Sequence, residues 1–513
     1  MSLLTYILGL PFLGALLVLM IPGNFKFIIR SVAQLVTAIP VLLAVWMFYN
    51  FNSAPGVEFK YDQMVSWIPS LGISYHVGVD GINLGLVLMA TVVAFAAVCV
   101  SNEIKVREKE YYFLLLIMIG GIFGAFCCLD VFFLYFFHEL ALIPTFIMIG
   151  VWGRGMNRNY ATFQITIYLT IGALIALFGL IAVYLQIPVG SRTFDLMGMT
   201  NYFRAHPIAL NSQHFIFPLL LFGFGILVSL WPFHTWAPLG YGSAPTATAM
   251  LHAGVLKKFG LYMLLRIALP FLPDAAQSWL DIIAVLCLGN IVYCGFVAMR
   301  QKDLNLLIGN SSVAHMGFVF LGFASLSLIG VTGALIVMVA HGFLAALTFA
   351  LSGYIYKQTD TLDMKEMGGL LRKLPFIGCA MIMAMMAGCG LPGFANFAGE
   401  SLVLFGAYSN FPVMTAIAIW GALVIGAIYM LRGVRNVLHG PLSEKWNGVV
   451  DASSAWRRVP YILLIGFLLV FGFCPSLLTE KIKPSAQAVL NMAQRPVQPL
   501  LKKAPKHLPI RVK

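Results

Sequence analysis

Long apolar runs separated by short polar intervals make up the chain from its first residues to about residue 478. A helix needs about 20 apolar residues to cross the roughly 30 Å hydrocarbon core of a bilayer. The runs are continuous and do not alternate with polar positions, so they predict helices rather than strands. About fourteen spans are predicted, near residues 3–21, 28–50, 79–101, 112–129, 131–152, 161–186, 213–232, 245–270, 278–299, 303–325, 329–355, 374–410 (interrupted), 413–435 and 457–477.

This pattern predicts an all-α integral membrane protein with a single transmembrane domain over residues 1–478. The longest polar intervals, residues 51–78 and 187–212, are predicted to be loops. A basic, proline-containing C-terminal tail is predicted over residues 479–513. The first apolar run has no small-residue cleavage site, so we expect it to be retained as a span rather than removed as a signal peptide.

The charge distribution indicates how the spans are oriented. The chain is 60% hydrophobic and only 10% charged, with a formal net charge of +13. When loops are numbered by the span they follow, the odd loops hold 18 Lys and Arg residues and the even loops before the tail hold three. The positive-inside rule then predicts a multi-pass membrane protein with odd loops in the cytoplasm and both termini outside. This distribution predicts no nucleic-acid partner, and the basic C-terminal tail is expected on the outer face, in contact with lipid headgroups or a neighbouring subunit.

Ionisable residues inside the spans are the candidates for function. A charge at the bilayer centre costs about 2.5–3.5 kcal/mol, so such groups usually line an ion or proton pathway. Two of them, Glu139 and Glu400, lie deep in apolar runs. The full set is Asp130, His138, Glu139, His252, Lys257, Lys258, Arg266, His315, His341 and Glu400.

Several of these residues also allow a purely structural interpretation. Asp130 stands where it can cap the helix that follows it, and Arg266 stands where it can snorkel to the interface. The histidines can be hydrogen-bonded core residues. Lys257 and Lys258 are neighbours, hence about 100° apart on a helix, so at most one of them faces any single channel.

Two predicted spans are interrupted by proline at comparable places. The seventh ends in WPFHTW, with Pro232, and the twelfth contains CGLPGFANFAGE, with Pro392. A pair of broken spans in the two halves of a chain is typical of inverted-repeat transporters. The sequence thus predicts two inverted five-helix repeats, over about 112–270 and 278–435, with discontinuous seventh and twelfth helices.

No motif for cofactor chemistry is present. The chain has no phosphate-binding loop, no dinucleotide fingerprint and no haem or iron–sulfur spacing. Its eight cysteines lie almost entirely within spans and show no metal-ligand spacing. We therefore expect no cofactor and no metal on this chain.

The motifs together resemble a known family. LDVFFLYFFHELALIPTFIMIGVWG, PFHTWAPLGYGSAPTATAMLHAGVLKKFGLYMLLR, SSVAHMGF, VMVAHGF, MGGLLRKLP and LPGFANFAGE are similar to segments of the antiporter-like, proton-translocating membrane subunits of bacterial NADH:quinone oxidoreductase, respiratory complex I. The likeness runs over about residues 75–440. A glutamate rather than a lysine in the twelfth span favours the M chain among these subunits.

The resemblance implies a function and a set of site residues. It implies a translocase subunit in which proton transfer is coupled to quinone reduction elsewhere in the complex. NADH, FMN, iron–sulfur clusters and quinone are expected on partner subunits, and the partners of this chain are other membrane subunits, especially neighbouring antiporter-like subunits, the lipid bilayer and protons. The proton pathway implied for this sequence consists of Glu139, Lys258, His315, His341 and Glu400.

Three positions depart from the family pattern. The lysine usual in the broken seventh span is Leu227, that of the sixth span is Gln164, and a cytoplasmic lysine before the tenth span is Asn305. His138 or His252 are candidates for a replacement base. One alternative that stays open is a subunit of a multisubunit cation/proton antiporter or membrane-bound hydrogenase. Another is a non-pumping structural paralogue, because the usual seventh-span lysine is Leu227. The sequence also leaves open whether the ion is H⁺ or Na⁺.

Overall fold

The structure is a computed structural model, and it describes residues 2–52 and 59–494. In the first half the elements are α1 (Leu3–Met20), α2 (Lys26–Asn50), β1 (Lys60–Ile68), β2 (Ile73–Val79), α3 (Leu84–Val100), α4 (Glu108–Cys127), α5 (Val131–Trp152), α6 (Arg158–Leu185), α7 (Leu196–Ala205), α8 (Leu210–Val228), α9 (Trp236–Ser243), α10 (Thr246–Leu251), α11 (Lys258–Met263) and α12 (Leu269–Phe271). In the second half they are α13 (Pro273–Leu288), α14 (Cys294–Arg300), α15 (Leu304–Ala324), α16 (Leu328–Thr359), α17 (Pro375–Gly388), α18 (Ala395–Tyr408), α19 (Pro412–Trp420), α20 (Ala427–Leu438), α21 (Ala455–Phe473) and α22 (Ser476–Ala493).

The all-α membrane architecture predicted from the sequence is confirmed. Within the described residues, twelve helices are long and apolar enough to cross a bilayer. The other two predicted spans, near 245–270 and 374–410, consist of shorter helical pieces. In the first of these, α10, α11 and α12 follow one another through two wider π-helical turns, His252–Leu256 and Leu264–Ala268. The count of fourteen spans and the inverted repeats stay predictions.

Burial increases from the edge of the bundle to a central layer. The apolar windows of α15 and α16 are almost wholly inside the protein, as is most of that of α3, whereas α1, α2 and α21 expose most of theirs. The segment from α10 to α12 belongs to the same layer, since nearly all its residues are buried. Ionisable residues on these inner helices are therefore shielded from lipid.

Both predicted interruptions are present. Helix α8 ends at Val228 and the chain resumes a helix at α9, with Pro232 in the gap. Proline has no N–H and fixes its own φ, which prevents an ordinary helix from continuing. Asn290 holds this gap: its Nδ2 donates to the carbonyl of Ser229 over 2.9 Å, and its Oδ1 accepts from the N–H of Trp231 over 2.8 Å.

The second interruption separates α17 from α18. Gly390 and Gly393, which flank Pro392, have φ of +69° and +99°. Glycine reaches this left-handed region without steric penalty, because it has no Cβ. The chain can therefore turn sharply in the middle of the bundle before α18 begins.

Three segments predicted as loops or tail contain regular structure. Residues 51–78 include an antiparallel hairpin of β1 and β2, and residues 187–212 include α7. The first part of the predicted tail is helical, because α22 extends to Ala493 and packs on α12 and α16. The basic remainder of the predicted tail, from residue 495, lies outside the described residues.

A buried histidine connects the β1–β2 hairpin with the loop before α7 through hydrogen bonds. His76 is buried, its Nδ1 contacts the carboxylate of Asp195 and its Nε2 contacts that of Asp62. Burial lowers the pKa of His76, but the hydrogen bonds to the two carboxylates together raise it by a larger amount. The net pKa therefore lies above the usual value of 6.5. The imidazolium is therefore favoured in the folded protein.

This cluster predicts a pH-dependent hairpin. A group whose pKa is raised by folding contributes stability that is complete below its unfolded pKa, near 6.5, and is lost as the pH rises through the folded value. We expect hydrogen exchange of the β1–β2 amides to accelerate beyond the intrinsic base catalysis as the pH rises above about 6.5 and through the raised pKa of His76. His76→Gln is expected to remove this extra dependence, and an equal acceleration in the variant would contradict the assignment.

Candidate functional site

Four titratable side chains from four inner helices form a continuous buried row. Lys258 of α11 places its Nζ 2.8 Å from Nδ1 of His341 on α16. The ring of His341 lies 5.5 Å, centroid to centroid, from that of His315 on α15. Nδ1 of His315 is 2.9 Å from Oε1 of Glu400 on α18. Four of the five residues implied by the family resemblance are thus brought together.

A π-helical turn positions the lysine end of the row. Lys258 begins α11 directly after the turn His252–Leu256 and is fully buried. Its Nζ donates to the carbonyl of Ala253 over 2.7 Å as well as contacting His341. Wider turns of this kind free backbone carbonyls and occur often at functional sites. Here the carbonyl of Ala253, which lies within the turn, is a hydrogen-bond partner of the buried ammonium.

The two histidines lie at the centre of the bundle. His341 is near the middle of α16, and His315 lies in the second half of α15, both almost completely buried. Since an ammonium donates, Nδ1 of His341 accepts from Lys258 whenever the lysine is charged. Nε2 of His315 is buried and has no hydrogen-bond partner among the described residues. Each imidazole can accept a proton at one nitrogen and release one at the other.

Glu400 ends the row beside the second helix break. The glycine at 390 lets the chain pass close to it, because a Cβ there would stand 3.1 Å from Oε2 of Glu400. A mostly apolar pocket of about 420 Å³, also lined by Tyr408 and Thr415, adjoins the carboxylate. The carboxyl group can therefore exchange protons between His315 on one side and this pocket on the other.

Glu139 is not part of this row. The sequence predicts it deep in the bundle, but its side chain is 32% exposed at the periphery of the chain. Its neighbour His138 points inward instead and stacks on Phe259 with ring centroids 4.2 Å apart. The physical reason is the 100° turn between successive helix positions, which allows only one of the two to face the core. Oε1 of Glu139 lies 3.4 Å from Nδ1 of His138.

The remaining candidates have structural partners. Asp130 caps α5 as predicted, accepting from the N–H of Phe132 over 2.9 Å and of Ser74 over 2.8 Å. The imidazole of His252 stacks on Trp236, with ring centroids 5.5 Å apart. Gln164 donates to Thr235 over 3.2 Å.

The snorkelling of Arg266 suggested by the sequence is wrong. Arg266 is buried and forms a two-pronged ion pair with Asp80, with Nη1 2.8 Å from Oδ2. Asp80 lies 186 positions away, in the short segment between β2 and α3. Sequence reasoning missed it because its place at the end of an apolar run is typical of an interfacial residue. Asp80 lies in HVGVDGIN, directly before a buried span, and this position is the sequence feature that could have indicated its role.

Within the part of the chain that the structure describes, no group of three or more His, Cys, Asp or Glu residues is arranged to hold a metal ion. All eight cysteines fall in this part and none is in a disulfide. The side chains of the row are an amine, two imidazoles and a carboxyl group, and each of them can exchange a proton.

Comparisons with known proteins agree with this architecture. A family model described as the transmembrane domain of the NADH:quinone oxidoreductase/Mrp antiporter proteins matches residues 128–426. This interval holds all four residues of the row and Glu139.

Similarity to curated relatives extends over most of the chain. Subunit M of the F420H2 dehydrogenase of Methanosarcina mazei is 35% identical over 457 residues, covering 88% of this chain and 91% of the relative. Subunit M of the NADH-quinone oxidoreductase of Rickettsia bellii is 32% identical over 454 residues, covering 87% and 88%.

The same architecture occurs in a solved complex. A chain of respiratory complex I from Thermus thermophilus, in a structure with bound NADH, superposes with a TM-score of 0.86 and 26% sequence identity. The match covers 96% of this chain and 99% of that one. On these similarities, the chain belongs to the family of antiporter-like membrane subunits shared by NADH:quinone oxidoreductases and Mrp antiporters.

Proposed function

We propose that this chain moves protons across a bacterial inner membrane as a subunit of a quinone-reducing complex. The observation that carries the proposal is the unbroken set of contacts from Lys258 through His341 and His315 to Glu400, buried inside the bundle. Every member of this set can bind and release a proton. Metal ions and cofactors are not needed for these steps, and NADH, FMN, iron–sulfur clusters and quinone would be held by partner subunits.

Electrostatic repulsion supplies the coupling between neighbouring sites. Two positive charges on Lys258 and His341, 2.8 Å apart in a medium of low dielectric constant, repel each other strongly. Arrival of a proton at the lysine therefore favours its transfer towards His315. Ionised Glu400 attracts it, and neutralisation of that carboxylate allows release towards the adjoining pocket. A change of charge at one end of the row therefore alters the proton affinity of the groups at the other end.

The broken helices are the proposed gates. The second interruption lies next to the row, because Gly390 is beside Glu400. The first interruption, from Ser229 to Trp231, lies next to the polar side chain of Asn290. Gating needs elements with two discrete arrangements, and a helix break stabilised by a few side-chain hydrogen bonds is such an element. We infer that the two breaks belong to inverted repeats over about 112–270 and 278–435, each opening to one side of the membrane.

Glu139 has a peripheral role in this proposal. Its partly exposed side chain lies on α5 near the exposed apolar residues Phe136 and Ile143, with Oε1 buried and without a hydrogen-bond partner among the described residues. A carboxylate facing hydrocarbon is costly, so this surface is suited to a neighbouring membrane subunit. Proton transfer from such a subunit to Glu139, and on through His138, would join this chain to the next one in the complex.

Cation/proton exchange without electron transfer is the second candidate function. It is favoured by the matching family model, which includes Mrp antiporters. The two functions differ in their driving force. Quinone reduction would drive proton flux in the first, whereas an imposed Na⁺ or K⁺ gradient would drive it in the second.

The test is proton translocation by the assembled complex in sealed vesicles, started by its electron donor. Glu400→Gln is expected to lower the number of protons moved per electron by roughly tenfold or more, since removal of a proton-exchanging group typically costs 10²–10⁴-fold in rate. Glu110→Gln is the matched control, because Glu110 is an exposed residue paired only with Arg107. An unchanged ratio in Glu400→Gln and Glu139→Gln would refute the pumping role.

A further inference from the structure

A second buried lysine lies beside the row but outside it. Lys257 is 1% exposed, and its Nζ lies 3.1 Å from Oγ and 3.2 Å from the carbonyl oxygen of Ser312. It also stands 5.7 Å from the centre of the Tyr241 ring. Lys258, the next residue, turns to His341 instead. The two lysines therefore have separate surroundings, as the 100° between adjacent helix positions requires.

No carboxylate compensates Lys257 among the residues that the structure describes, since none of the ion pairs found there includes it. A buried ammonium needs hydrogen bonds and counter-charge to offset the loss of water. Its partners here are one hydroxyl, one carbonyl and one aromatic face. These stabilise a charge only partly. Such a lysine is suited to exchange its proton rather than to hold a permanent charge.

Polar groups connect Lys257 with one end of the bundle. Asn305 and Ser312 are seven residues apart on α15, hence on one face and about 10 Å apart along the axis. Oδ1 of Asn305, in the first turn of α15, is buried without a partner, as are the hydroxyl of Tyr241 and Nδ1 of His252. The Tyr241 and His252 rings are in edge contact, 5.4 Å apart. Tyr241, which contacts Lys257, and its neighbour His252 thus each leave a buried polar atom without a partner among the described residues. Asn305 does the same, on the helix face that carries Ser312 and about two turns away from it.

The same face of α15 connects Lys257 with the row. His315 follows Ser312 by three residues, hence on the same side and less than one turn further along the helix. Nε2 of His315, the nitrogen that does not contact Glu400, has no partner. Glu400 therefore contacts one nitrogen of His315, and the helix face that carries His315 also carries Ser312, the partner of Lys257.

The first helix break adjoins this branch. Asn290, which holds the break through Ser229 and Trp231, also donates to the carbonyl of Val313 over 3.1 Å. Val313 is the neighbour of Ser312, so a movement of the break would be transmitted to the partner of Lys257. The family resemblance expects a lysine at position 227, at the end of α8 before this break, and Leu227 stands there. A second buried lysine is nevertheless in contact with the same region.

We propose that Lys257 is a second proton-exchanging lysine, which loads the row from the end of the bundle where α15 begins. It takes one proton from that side and passes one through the Ser312 hydroxyl to His315, so that its own protonation state is restored in each cycle. This inference rests on the proposed function, because it assumes that the row from Lys258 to Glu400 carries protons.

The test compares Lys257→Met and Lys257→Arg in the assembled complex in sealed vesicles. Arginine keeps a positive charge but does not release its proton. If Lys257 exchanges protons, both variants are expected to lower proton flux per electron by roughly tenfold or more. If Lys257 only supplies a charge for folding, Lys257→Arg would retain full flux, and the inference would be overturned.

A milder variant keeps the test decisive if Lys257→Met fails to assemble. Ser312→Ala removes only the hydroxyl partner and leaves the carbonyl contact in place. We expect normal assembly, reduced flux and a pH profile of the flux displaced from that of the unaltered complex. Unchanged flux in both Ser312→Ala and Lys257→Arg, with flux lost in Glu400→Gln, would reject the role of Lys257 while the proposed function stands. Unchanged flux in all three would reject both.

Discussion

Proton translocation is expected to be lost, by tenfold or more, when Lys258 is replaced by methionine in the assembled complex. The lysine is fully buried and has a direct 2.8 Å contact with His341, so methionine of similar length removes the exchangeable proton with little change in volume. General acid–base groups contribute about 10²–10⁴-fold to rate. The measurement is the initial rate of acidification of sealed vesicles after a pulse of electron donor.

Two further variants separate proton transfer from charge and from assembly. Lys258→Arg retains a permanent positive charge beside His341 but does not release a proton, so we expect it to remain inactive in translocation. Lys105→Met removes an exposed lysine and is expected to leave the flux unchanged. Full flux in Lys258→Arg would mean that the residue serves only as a fixed charge.

The largest effect on stability is expected from Arg266→Met. Removal of one partner of a buried ion pair leaves an uncompensated charge and typically costs about 3–5 kcal/mol. Asp80 would then be such a charge, between β2 and α3, with its carboxylate still accepting from the N–H of Ile82 over 2.9 Å. The measurement is thermal unfolding of the purified complex in detergent, together with the amount of this subunit that assembles.

A double variant tests whether the cost arises from the isolated charge. Asp80→Asn keeps an oxygen that can accept from Ile82 but removes the negative charge, so Asp80→Asn combined with Arg266→Met is expected to recover part of the loss. Equal destabilisation in the single Arg266→Met and the double variant would mean that Arg266 acts through packing on Tyr262 and Phe59 instead.

Sequence patterns identified some functional candidates of this chain and missed the partners of others. Their chemistry alone identified three candidates whose partners lie on other helices, namely His315, His341 and Glu400. Their mutual contacts were implied only by family resemblance. The partner of Arg266 was missed, because 186 positions separate it from Asp80 and no local pattern links the two. The predicted burial of Glu139 failed for a related reason: depth along a span is set by sequence, but the side of the helix that faces inward is not.

The long apolar runs by themselves determined the membrane class and the approximate spans, because a span depends on about 20 consecutive residues. Proline and glycine determined the two helix breaks through their local backbone geometry. Tertiary structure alone decided which of Lys257 and Lys258 joins the row and which of His138 and Glu139 faces the core. Adjacent helix positions point about 100° apart, and only the packing of neighbouring helices determines which of them is buried.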